Sequence, residues 1–204
     1  MPTNCQQLHT QTHLSDKRVE QFSTHKPSCA CESETLSVHS PGLIQDDELI
    51  LRVVVSPMHV HNKKPDQIKS NFLSHAESRG VSMQRAPLAS VDELVNCIST
   101  VAKDDDRCWL GYVELSAENI RSIRSVEGAQ MYCVADAANQ NNPAHAEIHM
   151  SSDMPEADRI EFRADLTKMF GKIHKRKALY DGKVWEAMPA HIKDREVPAG
   201  FIED

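Results

Sequence analysis

No stretch of this chain stays apolar for the roughly 18 residues that a membrane-crossing helix needs. No apolar core follows the start of the sequence either, so neither a transmembrane helix nor a signal peptide is expected. Positive charge is in deficit. Lysine and arginine number 23 against 30 aspartates and glutamates, a net charge of −7. The chain as a whole therefore has no attraction for nucleic acid or an anionic membrane. The phosphate-cradling loops G-x-x-x-x-G-K-[ST] and G-x-G-x-x-G are missing, as is the G-x-S-x-G nucleophile turn. No internal repeat is visible. These absences leave an intracellular globular protein, with the cytoplasm as the expected location.

What is present suits that class. At 204 residues, with 40% hydrophobic and 26% charged, the chain is long enough to bury a core. Residues 1–45 differ from the rest. They are rich in Ser, Thr, Gln and His, show no lasting apolar period, and end near Pro41-Gly42, so they read as a disordered or flexible tail. The tail holds Cys5, His9, His13, His25 and the C-x-C pair Cys29 and Cys31. A zinc site there would need wider ligand spacing than C-x-C. Cys97, Cys108 and Cys133 lie in apolar segments and read as reduced, buried thiols.

An α+β domain is expected over residues 46–190, with a second tail at 191–204. Leu49 to Val55 is almost continuously apolar, the mark of a strand buried on both faces. Strands are also expected at Cys108–Leu115, Ala129–Ala135 and Ala144–Met150. A helix is expected from Pro65-Asp66 to about Arg79, with Gly80 as its stop. Val81 to Pro87 reads as extended chain or loop. Ser90 with Glu93 is a capping box opening a helix whose stripe is Val91, Leu94, Val95, Ile98 and Val101. A short helix is expected from Ala117 and a long one from Pro155 to His174. The acidic turn 103–107 lacks the glycine and terminal glutamate of a calcium loop. The whole gives one mixed sheet of about four strands flanked by helices.

The stretch richest in chemistry is Asn142-Pro143-Ala144-His145-Ala146-Glu147-Ile148-His149-Met150. On a strand, alternation puts His145, Glu147 and His149 on one face and Ala146, Ile148 and Met150 on the other. Two imidazoles and a carboxylate suit a divalent metal such as zinc, which would activate water or polarise an oxygen. His59 and His61 would add ligands if the first strand ends beside this one. The plainer alternative is the solvated polar face of a half-exposed strand. His145-Ala146-Glu147 also matches half of the zinc deaminase signature, but no cysteine follows Cys133 to supply the other half. H-E-x-x-H is absent. A second candidate is the basic cluster Lys172, Lys175, Arg176 and Lys177, which would contact phosphates or simply stay solvated at a helix end.

Leu51-Arg52-Val53 with Pro57, Gly80-Val81-Ser82-Met83-Gln84-Arg85, and Asn142-Pro143-Ala144-His145-Ala146 together resemble motifs of a widespread group of small, mostly uncharacterised bacterial proteins. The resemblance covers about residues 47–150. Ser56 stands where that group carries a histidine before the proline. The resemblance implies a bacterial, cytoplasmic setting and brings Arg85 forward beside His145. The expectation is thus a binding or accessory component, paired with another protein and with neither nucleic acid nor membrane. The alternative is a metal-dependent hydrolase with His145, His149, His59 and His61 as ligands and Glu147 and Arg85 as catalytic groups.

Overall fold

The structure is a computed structural model that describes residues 4–12, 15–25, 29–151 and 154–201. Its centre is a six-stranded sheet, not one of about four strands. The strands are β1 (Leu49–Ser56), β4 (Val81–Arg85), β5 (Cys108–Ser116), β6 (Tyr132–Asp136), β7 (His145–Met150) and β8 (His174–Lys175). They lie in the order β6-β7-β4-β1-β5-β8, and each pairing is antiparallel. The two further strands lie in the middle and at one edge. Segment 81–85 supplies β4, between β1 and β7. His174–Lys175, expected to end a helix, supplies β8.

Two other elements differ from expectation. Residues 66–79 do not form an α-helix. Val60–His61 (β2) and Lys64–Ile68 (β3) make a hairpin across the Asn62-Lys63 turn, and a 3-10 stretch follows at Ser70–Glu77. The long helix is cut to Arg159–Met169 (α5), because Gly171 takes a left-handed φ of +66° that ends it. The Ser90 capping box forms as written in the sequence: the Glu93 amide donates to Ser90 Oγ at 3.2 Å, and the Ser90 amide donates to Glu93 Oε2 at 2.6 Å. It opens α3 (Val91–Val101). Ser116 caps α4 (Ala117–Arg121) through the Asn119 amide.

Both sheet faces are covered, in line with the almost continuous apolar run of β1. Ile50, Val54, Met83, Val113 and Ile148 face a core completed by Phe72, Ile120, Leu166 and Phe170, from the 3-10 stretch, α4 and α5. Leu51, Val53, Val55 and Trp109 face the other way. They pack with Leu94 and Ile98 of α3, Val184 of α6 (Lys183–Ala187) and Ile192 of α7 (Ala190–Lys193). The expected tail from residue 191 thus contributes Ile192, and Phe201 is buried as well. Among the described residues, no helix is long and apolar enough to cross a membrane.

The first 45 residues hold the largest departure from a flexible tail. Asn4–Thr12 (α1) and Arg18–His25 (α2) are helices, and Ala30–Ser33 is a 3-10 turn. Cys5 bonds Cys31, and Cys29 bonds Cys133 on β6. Phe22, Leu36 and the Cys5–Cys31 pair pack on Ala135 and Ala137. Cys133 is therefore not a reduced thiol, and Cys29 and Cys31 have no thiolate to offer a metal. Cys97 and Cys108 form no disulfide. His13 lies outside the described residues.

Candidate functional site

Register fixes which side chains meet. Glu147 of β7 pairs with Ser82 on β4 and Ala135 on β6. His145 pairs with Gln84, and His149 with Cys133. Directly paired residues share a face. Cys133 therefore lies on the face of the His145, Glu147 and His149 row, and its bond to Cys29 brings the N-terminal segment onto that row. The row is largely withdrawn from solvent, with His145 half-buried. Glu147 and His149 are buried.

Arg18, at the start of α2, closes the site. A single guanidinium nitrogen, Nη1, donates to both Glu147 oxygens at 2.5 and 2.6 Å, while Nε donates to the Thr12 carbonyl at 3.3 Å. His149 Nε2 lies 2.7 Å from Glu147 Oε2. An ionised carboxylate only accepts, so His149 donates here. His145 and His9 approach the same carboxylate at 3.6 and 3.8 Å. Burial pushes the Glu147 carboxyl up, but the polar contacts of His145, His149 and His9 outweigh it and hold the group well below the usual carboxylate range. Gly80, at φ +85°, lies beside this cluster; a Cβ there would sit 2.7 Å from the His149 ring and 2.9 Å from Glu147 Oε2.

The other expected ligands are not brought to the row. His59 is buried beside Phe72, where its Nδ1 accepts from the Val55 amide at 3.2 Å. Burial and the neighbouring Arg52 push its pKa down to about 3, so it stays a neutral acceptor. His61 is exposed on the β2–β3 hairpin. Among the described residues, no group of three His, Cys, Asp or Glu side chains is arranged to hold a metal ion.

Arg85 points away from Glu147. It follows Gln84 on β4, so alternation turns it to the opposite face of the sheet, with Val81 and Met83. All five of its N–H donors are used. Nε and Nη2 meet Glu48 at 2.8 and 2.7 Å, Nη1 meets Asp136 at 3.1 Å, and the Gly42 and Leu43 carbonyls take the rest. Burial alone would lower the Arg85 pKa, but the Glu48 pair outweighs it and raises the value further. Nothing is left to contact a substrate.

Part of the basic cluster is used in packing, while Lys172 and Lys177 are exposed. Lys175 lies over the Phe201 ring at 4.3 Å and buried Arg176 over the Trp185 ring at 4.6 Å, while His174 stacks on Tyr112. Sequence reasoning missed Arg18, and it placed His9 only among the ligands of the tail and did not bring it to this row, because their partner is more than 120 residues away. The one available signal was the even set of cysteines divided between tail and body. Comparison with protein families, with curated proteins and with solved structures found no match to this chain.

Proposed function

We propose that this chain acts by binding, as an accessory component, and not by metal-assisted hydrolysis. The observation that supports the reading is Arg18. Its guanidinium lies against both Glu147 oxygens, where a divalent cation would have to lie, and its charge offsets the carboxylate. A carboxylate so occupied is neither a free ligand nor a free base. Arg85 is equally committed, to Glu48 and Asp136. The partner expected is not nucleic acid, since the net charge is −7 and Lys175 and Arg176 of the 172–177 cluster lie over aromatic rings. Two disulfides bear against the cytoplasmic expectation, because such bonds persist mainly in oxidising compartments.

The test is metal content of the purified, non-reduced protein by elemental mass spectrometry. Far less than one metal per chain is expected, in the wild type and in a His145→Ala/His149→Ala variant alike. One metal per chain, lost in that variant with the fold intact, overturns the reading. One observation favours the hydrolase as the second reading: three imidazoles come within 3.8 Å of one carboxylate. It requires Arg18 to leave, so an Arg18→Ala variant that gains stoichiometric zinc would support it.

A further inference from the structure

The sheet face that carries Glu147 has two coverings, the N-terminal segment over β6 and β7 and the α3, α6 and α7 layer over β1 and β5. Over β4, next to α3 and the 139–142 turn, there is a cleft of about 330 Å³. That volume is in the range of small-ligand sites. Five carboxamides line it: Gln84, Asn96, Asn139, Asn141 and Asn142. The Ser82 and Thr100 hydroxyls and the His145 ring join them.

Two acceptors here have no partner. Gln84 is only 3% exposed, yet its Oε1 accepts nothing, and the buried Asn142 Oδ1 is in the same condition. Unpartnered buried amide oxygens are uncommon, and both side chains belong to the cleft wall. The turn that presents Asn142 is held by its own hydrogen bonds. Asn139 and Asn142 exchange backbone hydrogen bonds at 3.0 and 3.1 Å, and the Asn141 amide donates to Asn139 Oδ1 at 3.0 Å.

The lining also says what the ligand is not. It has no lysine or arginine, so nothing there compensates a phosphate or carboxylate. Its one carboxylate, Glu93, is already used in the α3 cap, which leaves little to hold a cation. It has no aromatic ring apart from the imidazole of His145, so a flat base finds no stacking platform. A hydroxyl both donates and accepts, and so matches a carboxamide in either orientation.

We propose that this cleft binds a small neutral polyol of about monosaccharide size, a proposal that rests on the binding reading above. The carboxamides that line the cleft recognise vicinal hydroxyls, with Asn142 and Asn96 on opposite sides of it.

The experiment is titration calorimetry of the full, non-reduced chain. The probes are glucose, galactose, mannose, ribose and myo-inositol, with inorganic phosphate and adenosine as contrasts. At least one polyol should bind, with affinity about tenfold lower in Asn142→Ala, the size of one lost hydrogen bond. Asn96→Ala, on the exposed side of α3, guards against a variant that fails to fold. Circular dichroism should be unchanged in both. No heat from any polyol, binding unchanged in both variants, or binding of phosphate or adenosine alone would each overturn the proposal. The outcomes separate it from the broader reading. Metal on Glu147 overturns the binding reading whatever the polyols do, whereas metal-free protein that ignores every polyol leaves binding of a protein partner intact.

Discussion

Replacing Arg18 by methionine removes the guanidinium from Glu147 and keeps much of the apolar stem. The two side chains are only 7% and 8% exposed, so the carboxylate left behind is buried without its cation. Removing one partner of a buried ion pair costs about 3 to 5 kcal/mol. His149 still donates at 2.7 Å, so the low end of that range, about 3 kcal/mol, is expected. For a chain of this size that corresponds to a fall in Tm of about 6 to 12 °C. The assay is urea unfolding of wild type, Arg18→Met, Glu147→Gln and the double variant, all with the disulfides verified intact. Removing both charges should cost less than the sum of the single losses, with a coupling of about 1 kcal/mol or more. The wild type should also show an acid arm that Glu147→Gln lacks. The folded pKa of Glu147 lies well below the ordinary 4.5, so its contribution is full above that value and disappears as pH falls through the depressed folded pKa. An Arg18→Met loss under about 1 kcal/mol, with both disulfides present, would refute the burial argument, because only a hydrated pair is that weak.

Thiol titration in denaturant without reductant should find two reactive thiols, those of Cys97 and Cys108, and a count of six would refute the covalent tie. Cys133→Ser opens a loop with a sequence separation of 104, and chain entropy puts the loss at up to about 4.7 kcal/mol, read by urea unfolding. His59, with a folded pKa of about 3, is neutral in the fold where the unfolded chain takes up a proton. Stability should therefore fall as pH drops from about 6.5 toward 3, and His59→Gln, which keeps an acceptor for the Val55 amide, should flatten that slope. Gly80→Ala sets a methyl 2.7 Å from the His149 ring at a backbone φ of +85°. It should cost more than about 1 kcal/mol and shift the His149 ring resonances, and an unchanged spectrum would count against the packing described.

The elements legible in the sequence are those whose cause is local. The apolar run of β1, the alternation of β7 and the Ser90–Glu93 box each depend on residues a few positions apart. β4 was illegible because Gln84 and Arg85 are polar at buried positions, and what admits Arg85 lies 37 and 51 residues away, at Glu48 and Asp136. The N-terminal segment was illegible for a related reason. Its few apolar side chains, Val19, Phe22 and Leu36 among them, make no period. What holds it is two disulfides and an ion pair with a residue 129 positions on. The strand face of His145, Glu147 and His149 could be read from alternation, but its cover could not.

Arg18 and Arg85 perform the same task on opposite faces of one sheet. Arg85 ties the segment at 42–48 to β6, and Arg18 ties the N-terminal helices to β7. Buried ion pairs contribute little net stability, since desolvation offsets most of the attraction, but a wrong docking would strand a charge at a cost of several kcal/mol. Charge here selects where polar segments with little apolar surface come to rest. That use consumes the residues that looked most like catalysts, Glu147 and Arg85. The carboxamides that line the cleft at the edge of that arrangement, Gln84 and Asn142 among them, are uncharged, and a site built from them suits recognition of a neutral ligand better than bond cleavage.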